Sequence, residues 1–230
     1  GPGPKAIIAP HAGYMYSGPI AASAYARFLS GRDFIQRIVL LGPSHCVAFD
    51  GLATSSAEAF ATPLGVVPLD LEAIREVRSL PQIQQLDEAH AQEHSLEVQL
   101  PFLQTVLGRF TLVPLAVGDA MPEDVAEVLD ALWDGPETRI VISSDLSHYH
   151  DLQTARRLDR ATAKAIEALR PNGVGDEGAC GRIPIRGLLK TARRRRLRAR
   201  TLDLRTSGDT AGPRDQVVGY GAFTFEEPAR

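Results

Sequence analysis

Three short apolar segments of this chain end in the same way. Ala6–Ala9 runs into Pro10-His11, Ile38–Leu41 into Gly42-Pro43-Ser44-His45, and Ile140–Ser143 into Ser144-Asp145-Leu146-Ser147-His148. Short apolar runs without alternation read as strands buried on both faces, the habit of parallel sheets. Thr111–Val117, Leu197–Leu204 and Val217–Phe225 read as further strands, and Gly51–Leu69 as short strands and turns around Pro63, Gly65 and Pro68. Helical spacing predicts helices over Pro19–Leu29, Leu71–Val77, Glu93–Leu107, Pro122–Leu132, Asp151–Leu169 and Gly181–Arg195. Within Glu93–Leu107, Pro101 lacks a backbone donor and predicts a kink or a restart. Pro122 with Glu123 and Asp124 is a sound helix start. Strands separated by helices, with no repeat, linker or change of composition, predict one α/β domain over residues 1–230, its sheet covered on both faces.

In such sheets ligands bind beyond the carboxyl ends of the strands. If the three histidine-bearing strands are parallel neighbours, His11, His45, Asp145 and His148 converge there. Any one histidine is more often a surface or satisfied core residue, but three at equivalent strand ends are harder to obtain by chance. The loop His11-Ala12-Gly13-Tyr14 with Tyr16-Ser17-Gly18 brings small residues and two aromatics to the same edge. Tyr14 and Tyr16 either flank a pocket or cap the core, and the sequence leaves both open. Cys180 sits between Ala179 and Gly181 just before a helix, where a thiol tends toward thiolate. The bland alternative for Cys180 is a small buried hydrophobe. Cys46 follows His45 directly, points the other way in an extended loop, and reads as structural. His90-Ala91-Gln92-Glu93-His94 spells H-x-x-E-H, the pattern of inverted zinc peptidases. It lacks an assignable downstream acidic ligand, and His90 and His150 read as incidental.

Composition narrows the class. Two cysteines in 230 residues make no disulfide scaffold, which predicts a reducing, cytoplasmic setting. No apolar run approaches the roughly 20 residues of a membrane span. The start, Gly1-Pro2-Gly3-Pro4-Lys5, is not a signal peptide and reads as a tag remnant or a truncation. A net charge of −3 gives no global pull toward nucleic acid. The segment Arg182–Arg205 holds 10 of the 25 basic residues, yet Arg outnumbers Lys 22 to 3 throughout, and no nucleic-acid module accompanies the run. A solvated face fits it better, with Arg196, Arg198 and Arg200 alternating along a strand.

Several motifs, in order along the chain, resemble the Memo family. They are Pro10-His11-Ala12-Gly13-Tyr14 with Tyr16-Ser17-Gly18, Gly42-Pro43-Ser44-His45, Glu93-His94-Ser95-Leu96-Glu97 with Leu100-Pro101-Phe102, Ser143-Ser144-Asp145-Leu146-Ser147-His148-Tyr149, and Cys180-Gly181-Arg182 with Pro184-Ile185. The resemblance runs from Lys5 to Phe223, and extends to Thr62-Pro63-Leu64-Gly65 and Ser207-Gly208-Asp209. It implies a three-layer α/β/α sandwich around a mixed, largely parallel sheet, similar to class III extradiol dioxygenases, which are non-haem iron enzymes. It implies a site formed by His11, His45 and Cys180, with Asp145 and His148 in the same pocket. It also implies two partners, a radical-SAM protein and an AMMECR1-like protein. Family members usually begin with a further segment of a few tens of residues, so a piece of sheet edge or cavity lid is expected to be missing.

The dioxygenase pattern is two histidines and a carboxylate on iron(II). A thiolate from Cys180 in the third place shifts preference toward copper(I), zinc or thiolate-bound iron. Asp145 is then a carboxylate ligand or a partner that orients a histidine. His148 is a candidate acid or base, and Glu93 and His94 close the pocket from the helix start. Tyr14, Tyr16 and Ser44 are the candidate substrate-pocket residues. The expected ligand is a small molecule or a peptide, and the expected chemistry redox or oxygen chemistry. Two other readings stand beside this one. In the first, a metal-free hydrolase uses Cys180 as nucleophile, His148 as base and Asp145 to orient it. In the second, a non-catalytic module holds a peptide or protein in the cleft.

Overall fold

The structure is a computed structural model describing residues 3–133 and 135–228. Gly1 and Pro2, the start of the segment read as a tag remnant, lie outside the described residues. In chain order the elements are β1 (Ala6–Ala9), α1 (Tyr14–Tyr25), β2 (Arg37–Pro43), β3 (Leu52–Thr54), β4 (Ala59–Thr62), β5 (Gly65–Pro68), α2 (Leu71–Val77), β6 (Ile83–Gln85), α3 (Glu88–Ala91), α4 (His94–Glu97), α5 (Leu100–Leu107), β7 (Thr111–Val117), α6 (Pro122–Ala131), β8 (Thr138–Ser143), β9 (His148–His150), α7 (Leu152–Glu167), α8 (Arg182–Arg194), β10 (Arg198–Thr206) and β11 (Val217–Glu226).

The nine-stranded sheet has the order β10-β11-β1-β8-β2-β7-β3-β6, with β9 hydrogen-bonded to β11 off this path. β1, β8, β2 and β7 run parallel, and β11 and β3 flank them antiparallel. β4 and β5 form a separate hairpin. Residues of β1 and β8 are buried throughout, as the apolar runs Ala6–Ala9 and Ile140–Ile142 require, with Thr138, Arg139 and Ser143 buried beside them in β8. Helices α1, α4 and α5 cover one face and α6, α7 and α8 the other, giving three layers. α6 is built as its sequence specifies: Pro122 opens it, the Met121 amide donates to the Asp124 carboxylate, and Val125, Val128 and Leu129 form the buried stripe. Asp151 caps α7, accepting from the Gln153 and Thr154 amides.

Two helices differ from expectation. The first begins at Tyr14 rather than Pro19 and tightens into a 3₁₀ turn over Ala26–Gly31, so Tyr14 and Tyr16 lie in its first turn and not in a loop. The segment Glu93–Leu107 is two helices: α4 ends at Glu97, and α5 restarts with Pro101 in its first turn, where the missing donor costs nothing. The basic run is broken up by local ion pairs. Arg182 and Arg186 meet Asp176, Lys190 meets Glu123, Arg194 and Arg195 meet Asp130, and Arg205 meets Asp203. Among the described residues no helix is long and apolar enough to cross a membrane.

The α6–α8 contact depends on Gly187, where a Cβ would overlap the Val125 side chain and approach the Pro122 carbonyl oxygen to 3.2 Å. Gly187→Ala is expected to cost about 1–3 kcal/mol by overpacking, read as a lower urea midpoint with an unchanged m-value. An unchanged midpoint would mean that the two helices do not meet as described.

Candidate metal centre

The carboxyl ends of β1, β8 and β2 are adjacent, because β8 pairs in parallel with both of its neighbours. His11 follows β1, Asp145 follows β8 and His45 follows β2. Leaving the ladder, each strand end exposes amides that need new acceptors. Buried carboxylates take that role. Asp145 Oδ1 accepts from the His11 amide at 2.8 Å and the Ala12 amide at 3.3 Å. Glu93 Oε2 accepts from the His45 amide at 2.5 Å, while Oε1 accepts from the Ser95 amide and the His45 ring Nδ1, each at 2.9 Å. Glu93 is also the N-cap of α4, so the group that holds His45 also starts the helix bearing His94.

The three imidazoles meet. Ring centroids are 5.2 Å apart for His11 and His45, 5.3 Å for His45 and His94, and 5.6 Å for His11 and His94. One ring nitrogen from each lies within 4.8 Å of the others. Cys180 joins this group, with Sγ 3.4 Å from His11 Nε2 and its amide bonded to the Asp145 carbonyl oxygen at 3.3 Å. Gly181 follows it closely against β8: a Cβ there would stand 2.7 Å from Ser144 Cβ. Its amide donates to Ser144 Oγ at 2.9 Å, which pins the start of α8 to the end of β8.

Electrostatics reflect this crowding. Burial acts to raise the Cys180 thiol, but the His11 and His45 rings outweigh it and bring it down to about 7. The sulfur and then the Glu93 carboxylate lift His45 to about 10. Burial would raise Glu93, yet the His45 ring and amide and the Ser95 amide hold it at about 2. Burial pushes Asp145 up to about 6 against its two amide donors.

These donors fit a transition-metal ion. Because a carboxylate only accepts, His45 Nδ1 must carry a hydrogen, so Nε2 is the nitrogen that becomes free to ligate when the imidazolium gives up its proton. A carboxylate behind a ligating imidazole is the usual partner of a metal-bound histidine. Nitrogen and sulfur donors of this kind suit copper, zinc or iron better than hard cations.

The other candidate residues lie as follows. His148 is half-buried on β9, opposite Val218 of β11 and 5.7 Å from the Tyr149 ring. No hydrogen bond joins it to Asp145 among the described residues, since Asp145 is turned to the β1 amides. Tyr14 is half-exposed, donates its hydroxyl to the Val98 carbonyl and packs edge-on to Phe102, tying α1 to α5. Tyr16 packs part-buried on the core, and the Ser44 hydroxyl is turned back to the Val47 carbonyl. His90 lies on α3, separate from α4, and its Nε2 donates to the Ala53 carbonyl at 3.0 Å, so the H-x-x-E-H spelling is not one helical face. Cys46 is exposed beside the Gln92 carbonyl. His94, expected to close the pocket, follows the Glu93 cap and packs its ring against those of His11 and His45, a placement with no local sequence signal.

Histidines and a cysteine gathered where parallel strands end make this an α/β protein with a candidate metal centre. The chain matches the Memo-like protein family model over residues 2–224. It is 35% identical to a MEMO1 family protein of Aquifex aeolicus, with 96% of this chain and 86% of that one aligned. It is 36% identical to a MEMO1 family protein of Saccharolobus islandicus, with 95% and 82% aligned. The crystal structure of the uncharacterised protein JW3007 of Escherichia coli K12 shares the fold, with a TM-score of 0.58, 12% identity and 94% and 98% coverage. The chain belongs to the Memo family.

Glu93 binds fewer protons when folded than when unfolded, since it sits at about 2 against an ordinary 4.5. Its contribution to stability is full above about pH 4.5 and is lost as pH falls toward 2. Glu93→Gln is therefore expected to unfold more easily at neutral pH and to lose less further stability on acidification. Urea titrations from pH 7 to pH 3 measure this; equal pH slopes in variant and wild type would contradict it.

Proposed function

We propose that His11, His45 and Cys180 hold one transition-metal ion, iron, copper or zinc, with His94 as an adjoining nitrogen donor. The protein would use it for redox or oxygen chemistry on a small substrate. The observation that carries this reading is the gathering at the sheet's carboxyl edge of three imidazoles, one nitrogen of each within 4.8 Å of the others, with the Cys180 sulfur 3.4 Å from His11 Nε2. Bound there, such an ion supplies Lewis-acid or one-electron chemistry at an open coordination position. The chain's own groups do the rest. Asp145 fixes the backbone of His11, and Glu93 orients His45. His148, half-buried on β9, is the candidate to give or take a proton at the rim.

The reading keeps the family-level expectation of a cytoplasmic protein acting with a radical-SAM protein and an AMMECR1-like protein. The hydrolase reading has less support, because Cys180 contacts His11 and Asp145 is engaged with backbone amides rather than with His148.

The test is elemental analysis after anaerobic, reducing purification. Wild type is expected to carry stoichiometric metal and the His11→Ala/His45→Ala double variant only background. With iron or copper bound, a visible thiolate-to-metal band is expected in wild type and absent in Cys180→Ser. Equal metal-free results for wild type and double variant, after loading with iron, copper and zinc, would overturn the proposal.

A further inference from the structure

Behind His11 lies a run of buried polar side chains that the metal centre does not itself require. His11 Nδ1 is 2.9 Å from Ser143 Oγ. That hydroxyl also lies 2.5 Å from the Ser95 carbonyl oxygen and 2.7 Å from Gln99 Nε2. Gln99 Nε2 lies 3.0 Å from the Pro10 carbonyl oxygen, and Gln99 Oε1 is 2.6 Å from the Tyr25 hydroxyl. Gln99, Ser143 and Ser95 are 0% exposed, Tyr25 1% and His11 2%, so these groups are shut off from bulk solvent and bond to one another.

Counting hydrogens leaves one solution. Pro10 has only a carbonyl to offer, so the Gln99 atom facing it must be the NH₂ group. Its two hydrogens go to Pro10 and Ser143, and its oxygen accepts from Tyr25. The Ser95 carbonyl can only accept, so the single hydrogen of Ser143 goes there. Ser143 is then an acceptor toward both Gln99 and His11, and His11 Nδ1 must be the donor. His11 Nε2 is left bare, facing Cys180.

We infer that Tyr25, Gln99 and Ser143 are positioning residues that lock His11 in its Nδ1–H tautomer and so present Nε2 to the metal. The inference rests on the proposed role of His11 as a ligand, but the tautomer is a property of the metal-free chain and can be read separately. The arrangement complements Glu93, which does the same for His45 with a charge. At His11 the orienting group is neutral, fixed through a tyrosine on α1 and a glutamine at the start of α5.

The experiment is long-range ¹H–¹⁵N NMR of ring-labelled, metal-free protein, at a pH where the His11 ring is neutral. Wild type is expected to show Nδ1 protonated and Nε2 unprotonated. Ser143→Ala is expected to give a mixture of tautomers and about 10–100-fold weaker zinc binding by competition titration. Ser143→Thr, which keeps the hydroxyl, is expected to restore both. An Nε2–H ring in wild type overturns the inference without any variant, as does a folded Ser143→Ala protein with an unchanged tautomer. If the tautomer behaves as stated but no metal binds, the relay stands and the metal reading fails.

Discussion

At the carboxyl edge of a parallel sheet the backbone leaves its ladder and its amides lose their partners. This structure answers that need with two buried carboxylates. Asp145 takes the amides of His11 and Ala12, and Glu93 takes those of His45 and Ser95. A strand-end amide left unpaired in this interior would cost about 1–3 kcal/mol. Each acid therefore fixes a turn and, with it, the imidazole that the turn carries. The parallel adjacency of β1, β8 and β2 makes one cluster of what would otherwise be separate loops.

The same acids set the charge of the site. With Cys180 near neutrality in its pKa and Glu93 ionised, the region favours a positive partner. In the metal-free chain the His45 imidazolium, held up to about 10, supplies it. On the proposed reading a metal ion takes over that charge, so uptake releases protons and strengthens as pH rises. His94 stands at the outer side of the cluster with an exposed ring.

Much of the framework is legible in the sequence. Uninterrupted apolar runs marked β1, β2 and β8, and the residues just beyond them gave His11, His45 and Asp145, because strand direction alone decides where those ends lie. Pro101 correctly signalled a restart of the helix. Less visible was whatever depends on partners far apart in the chain. Glu93 meets His45 from 48 positions away and Ser143 meets His11 from 132, and no local pattern encodes either pair. The H-x-x-E-H spelling pointed to one helical face, but a capped break between His90 and His94 sends the two rings to different places. Tyr14 and Ser44, expected at a substrate pocket, have hydroxyls bonded to the Val98 and Val47 carbonyls, contacts that no local pattern encodes.

The central claim is that sulfur and imidazole nitrogen share one ion. X-ray absorption at the edge of the metal reconstituted into this protein tests it most directly. With zinc bound, the expected first shell combines imidazole nitrogens with one sulfur at about 2.3 Å, and the sulfur shell disappears in Cys180→Ser. A shell of nitrogen and oxygen alone, identical in wild type and Cys180→Ser, would contradict the account.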